Sequence, residues 1–145
     1  MSSKYTTPLQ QLRTYLEANT TRVVSRALRL PEQQSDAELD AGIYILLSSG
    51  VSAYPYMTSE GETDRGLHQI SVVFQARAPE SAGDDAGELI DALEFEAVDE
   101  IEQLFGDNYA DRPEALYGLR LESWSQSAQR DAPFAWVVFK LINQE

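Results

Sequence analysis

Seven apolar residues between positions 85 and 105, Ala86, Leu89, Ile90, Leu93, Ala97, Ile101 and Leu104, fall within a stripe about 120° wide when each residue is turned by 100°. Only a long helix laid against a core brings them together, so the rest of the chain has to supply a layer broad enough to cover one side of it. Asp84 or Asp85 stands where a side chain caps the first free amides, and an acid there complements the helix dipole by about 0.3–1 kcal/mol. The other side is charged, with nine acids and no base between residues 84 and 102, and reads as a solvated face. Phe95 lies among these acids, opposite the stripe, and points to a packed neighbouring subunit.

The covering layer reads as a sheet. Ile43 to Leu47 is a β-branched and aromatic run that continues through Gly50 toward Tyr54 and Tyr56, a strand buried on both faces. From His68 to Ala76, Ile70, Val72, Phe74 and Ala76 alternate with Gln69, Ser71 and Gln75, the pattern of a half-buried strand. Two further strands span residues 116–125 and 134–142, joined by a turn through Arg130, Asp131 and Pro133. The last is apolar on both sides. Phe134, Trp136, Val138 and Ile142 alternate with Ala135, Val137, Phe139 and Leu141, and Lys140 is its only charge. One side can take the long helix; the other has to meet the first helix or another chain.

That first helix starts at Thr7 and Pro8, because proline loses no needed donor at the first helical position. Leu9, Leu12 and Leu16 form its apolar side, and Asn19, Thr20 and Thr21 end it. A short strand is expected over residues 22–30, with a helical continuation to Pro31 as the alternative. Residues 31–41, 58–66, 79–87 and 106–113 read as loops. The fold class is α+β: a mostly antiparallel mixed sheet packed by one long acidic helix and a short N-terminal helix, in a single domain over residues 1–145.

Net charge is −13, from 24 acids and 11 bases, which opposes binding to phosphate backbones and anionic membranes. The bases are partly segregated: residues 1–30 hold Lys4, Arg13, Arg22, Arg26 and Arg29 against Glu17 alone. They read as a solvated basic face or as a contact patch for an acidic neighbour. The longest apolar run covers residues 132–139 and contains Pro133, whereas a spanning helix needs about 18 residues, so no membrane is expected. The first residues carry no secretory signal, and the absence of cysteine rules out disulfides and thiolate chemistry. Synthesis inside a cell fits best.

Catalytic groups are sparse. A single histidine, His68, excludes a two-histidine metal site within one chain and reads as an ordinary strand residue with one hydrogen bond. Ser48 and Ser49 before Gly50 do not form a nucleophile elbow. Asp107, Asn108 and Asp111 lack the glycine and the twelfth-position acid of a calcium loop. No phosphate-binding or dinucleotide fingerprint occurs. Neither an enzymatic activity nor a cofactor is expected.

The run Ile43, Tyr44, Ile45 and Leu46 into Gly50 and Tyr54 belongs to a longer pattern. Leu67, His68, Ile70, Val72 and Phe74 lead through Ala76 and Ala78 to Pro79 and an acidic helix, and Trp124, Ser125 and Ala128 precede a charged turn and an aromatic closing strand. In this order the chain resembles, over nearly its whole length, the tail terminator family of lambda-type long-tailed bacteriophages, the minor tail protein U type. It departs from that pattern in a longer acidic segment between Asp84 and Glu114 and in residues 17–41.

The resemblance implies a virion protein made in the host cytoplasm that forms a ring, usually a hexamer, on the head-proximal end of a siphophage tail. Such a ring ends polymerisation of the tail tube protein, offers a joining surface to the head-tail connector protein, and lets DNA pass without specific binding. Arg22, Arg26, Arg29, Phe95 and Phe139 are then candidates for the subunit interface, and Glu60, Glu62, Asp64 and Arg65 for a docking loop. A connector or neck protein of the head-tail junction is one alternative. An acidic mimic of DNA that occupies a host protein is another, supported by the charge alone.

Overall fold

The computed structural model describes residues 6–53, 66–105 and 112–144. Helix α1 (Thr6–Asn19) turns Leu9, Leu12, Tyr15 and Leu16 to the core. Its end is closed by side chains: Asn19 Nδ2 donates to the carbonyl of Tyr15, and the backbone N–H and hydroxyl of Thr20 both donate to that of Leu16. These are the carbonyls that a helix leaves without partners. Strand β1 (Val23–Ser25) follows and is much shorter than the expected 22–30.

The chain then crosses one face of the sheet through a 3-10 turn (Pro31–Gln33) and helix α2 (Asp36–Ala41) before entering β2 (Ile43–Ala53). Residues 31–41 are therefore not the loop expected. Ser35 Oγ accepts the N–H of Glu38, and Leu39 is buried. Six residues are too few to show a period, but the spacing of Ser35 and Glu38 is that of an N-terminal cap. β1 pairs with β2 in parallel, and parallel neighbours require a crossover of this kind.

β3 (Gly66–Arg77), α3 (Ala86–Phe105), β4 (Leu119–Gln126) and β5 (Phe134–Gln144) complete the chain, with the strands in the order β1-β2-β3-β5-β4. All pairs but the first are antiparallel, so the sheet is mixed and mostly antiparallel, as expected. β1 and β4 are its edges. The β4 register slips between Leu121 and Ser123, a bulge in that edge.

Residues opposite one another across the ladders share a face. Tyr44, Phe74 and Val137 form one such row and Leu46, Val72 and Phe139 the next, all buried beneath α1 and α3. Both helices thus lie on one side, and the first helix does not cover the second apolar face. There the crossover does so, and only in part: its Leu39 is buried, as are Ile43 and Ile45 of β2, while Val73, Phe134, Trp136, Val138 and Ile142 remain half-buried.

Helix α3 is also turned from its expected setting. Its buried residues are Ile90, Glu94, Ala97, Val98, Ile101 and Phe105, a face rotated by roughly 70° from the stripe, and Leu89 is left exposed. The cause is Glu94, one of the nine acids, which is fully buried. Its Oε2 accepts the hydroxyl of Ser127 and the backbone N–H of Trp136 at 3.2 Å, and its Oε1 accepts from Gln126 Nε2 at 3.3 Å. The Trp136 N–H lies where β4 has run out of partners, so the helix supplies the acceptor that the sheet lacks. Polar need overrides the hydrophobic pattern at this point.

Candidate functional site

On the face opposite the two helices, the crossover and the β4–β5 turn form the two banks of a groove floored by strands. Leu30, Pro31 and Glu32 make one bank; Arg130, Asp131 and Ala132 make the other; Val73, Gln75, Phe134, Trp136 and Val138 lie between. The concave volume is about 820 Å³. Pairing across β3 and β5 sets the floor, because Val73 faces Val138 and Gln75 faces Trp136.

Polar contacts hold both banks. Gln75 Nε2 donates to the carbonyl of Arg29 at 2.9 Å, and Gln34 Nε2 donates to Gln75 Oε1 at 3.1 Å, which ties the crossover to the sheet. Arg77 reaches Asp36 at 2.7 Å and Asp40 at 3.2 Å and ties α2 beside it. On the other bank, Trp136 Nε1 donates to Asp131 Oδ2 at 2.6 Å, so the indole is braced. An apolar floor with braced banks is suited to receiving an apolar side chain from outside.

The sequence-derived candidates are scattered. Phe95 is exposed on the outer side of α3, on the far side of the sheet from the groove. Arg26 and Arg29 are exposed. Arg22 is not available to a neighbour, contrary to expectation: it is buried and meets the acidic helix of its own chain, with Nη2 at 3.1 Å from Glu96 and Nε at 3.1 Å from Glu100. Its Nη1 donates to the carbonyl of Ala41 at 2.9 Å, and its guanidinium lies over the rings of Phe74 and Tyr44. Tyr44 donates to the same Glu100 oxygen at 2.6 Å, and burial followed by that carboxylate pushes its phenol well above the usual range. Phe139 is likewise no interface residue; it is fully buried under the helices. Glu60, Glu62, Asp64 and Arg65, and with them Asp107, Asn108 and Asp111, lie outside the described residues.

His68 is buried near the start of β3, with Nε2 at 2.9 Å from Ser48 Oγ. Burial, and then the charge of Arg26, lower its pKa. The unfolded chain therefore takes up a proton near pH ~6.5 while the folded one still resists it, and the stability contributed by the neutral ring is lost as pH falls through that value. Between about pH 7.5 and 5.5, above the carboxylate range, urea midpoints are expected to fall more in the parent than in His68→Gln. Equal slopes would remove His68 as the cause.

Among the described residues no group of three His, Cys, Asp or Glu side chains is placed to hold a metal ion, and no helix is long and apolar enough to cross a membrane. The groove was not visible in the sequence as a site, although the two-sided apolar pattern of β5 marked its floor. Leu30 and Pro31 gave no signal, because what brings them there is the crossover. No protein-family model matches the chain, and a search of the curated proteins returned no significant match.

Proposed function

We propose that the chain is a structural subunit that assembles into a ring at the head-proximal end of a phage tail, where it ends tube growth and offers the head-joining surface. The observation that carries this reading is the half-covered apolar face: the row Val73, Val138 and its neighbours Phe134 and Trp136 sit in an open groove although the opposite side of the same strands is fully packed. Stable self-assembly draws its energy from such surface. The resemblance of the residue order to tail terminators supplies the setting, and the charge of −13 suits a ring through which DNA slides without sticking. A DNA mimic would need the acids but leaves the groove without a purpose.

Electron microscopy of particles assembled from a genome lacking this gene tests the assignment. Overlong tails, or tails and heads left unjoined, are expected, with normal joining restored by the intact gene. Normal virions in its absence would remove the reading.

A further inference from the structure

We propose that the groove receives the outer face of α3 from a second copy of this chain, with Phe95 as the inserted side chain, so that successive copies join head to tail. This rests on the ring reading above and names its contact.

On α3, Phe95 is 49% exposed. Its helical neighbours four and seven residues away on either side are Asp91, Asp99, Glu88 and Glu102, an apolar knob within a circle of carboxylates. Two such faces repel one another, so α3 cannot pair with its own equivalent. The partner surface has to be apolar at its centre and not acidic around it.

The groove meets both conditions. Its floor is Val73, Phe134, Trp136 and Val138. The same face of the sheet and its banks carry Arg29, Arg120, Arg130 and Lys140, none of which forms an ion pair among the described residues. Against these four stand Glu32, Glu38 and Glu122, because Asp131 is already engaged by the Trp136 indole and Asp36 and Asp40 are paired with Arg77. In a chain with more than twice as many acids as bases, a face whose remaining charges are close to balanced is the one that accepts an acidic neighbour. An apolar centre bounded by charges is also the anatomy of an energetically productive contact.

The positions of the two surfaces fix the symmetry. α3 and the groove lie on opposite faces of one sheet, so a contact between them leaves an unused groove at one end of a pair and an unused α3 at the other. Such a heterologous contact adds copies in one sense until the rotation closes.

The absence of cysteine permits a direct test, since engineered thiols have no native competitor. Ala92→Cys, exposed one turn before Phe95, and Ala132→Cys, exposed on the groove's bank, leave Phe95 and the floor in place. Each variant, folded by circular dichroism, is oxidised separately, as a mixture and as a double variant, at rising protein concentration. The expected result is monomers from each single variant, one covalent dimer from the mixture, and a ladder from the double variant that is lost at high salt. Val138→Cys on the groove's floor replaces Ala132→Cys if the latter does not fold. A dimer from Ala132→Cys alone would mean groove against groove, a dimer from Ala92→Cys alone would mean α3 against α3, and no product from the mixture or the double variant would mean another partner; each overturns the proposal. A ladder together with normal virions in the gene's absence would retain the contact and remove the tail assignment, and overlong tails without a ladder would do the reverse.

Discussion

Replacing Glu94 with alanine is expected to lower unfolding free energy by about 3 kcal/mol and Tm by about 10 °C. Glu94 is completely buried, and three donors converge on its carboxylate: the Ser127 hydroxyl, the Trp136 N–H and the Gln126 amide. Alanine removes the acceptor and leaves the buried Ser127 hydroxyl without it, beside two half-buried donors, and a buried group left unmade costs about 1–3 kcal/mol. The turn that these bonds anchor contains Ala128 and Gln129 at φ 54° and 59°, left-handed values that side chains rarely adopt. Asp91 helps by accepting from Gln129 Nε2 at 3.2 Å. Glu94→Gln keeps the shape but presents an amide N–H₂ to donors, so it should lose roughly 1–2 kcal/mol, between parent and alanine. Urea unfolding of the three proteins checks the order; an alanine variant within about 0.5 kcal/mol of the parent would show that the network does not hold the turn.

Arg22→Ala is expected to cost about 2–3 kcal/mol. A buried pair broken on one side typically costs about 3–5 kcal/mol, and the figure is reduced here because its partners Glu96 and Glu100 keep 67% and 26% of their side-chain surface in water. The same cage makes Gly42 intolerant of any side chain. Its φ is +82°, and a Cβ added there would stand 2.3 Å from Arg22 Nη1 and 2.9 Å from Phe74 Cε1. Gly42→Ala should therefore destabilise by about 2 kcal/mol on its own. In the Arg22→Ala background the first clash is gone, while the backbone strain and the Phe74 contact persist. The two losses are thus expected to sum to more than the double variant shows. Strict additivity in a double-mutant cycle would argue against the cage.

The elements legible in the sequence were those whose periodicity is long enough to read. The alternation in β3 and the two-sided pattern of β5 mark both as strands with apolar faces, but a pattern apolar on both sides does not say which side the helices take, so Phe139 reads as an interface residue although it lies beneath them. Helix α3 was legible in extent and not in rotation, because apolar counting cannot see that Glu94 is needed by donors more than thirty residues away. Arg22 was misassigned for a related reason. Charge makes it part of a contact patch for an acidic neighbour, but whether the acids that it meets belong to the same chain or another depends on three-dimensional proximity, which periodicity does not encode. The groove was half legible: its floor follows from the pattern of β5, whereas its banks come from a crossover that a six-residue helix and a 3-10 turn are too short to announce.

The two margins of the sheet set a limit on how copies can meet. One is β1, three residues long, and beyond it β2 from Leu46, whose own ladder slips between Ser48 and Gly50; the other is β4, whose ladder is interrupted between Leu121 and Ser123. Short or irregular borders are poor templates for another strand, so extension of the hydrogen-bonded array from molecule to molecule, the route to fibrils, is disfavoured. In the proposed ring, association is left to the broad surfaces, where side-chain identity governs the choice of mate and a finite number of copies can complete a closed array.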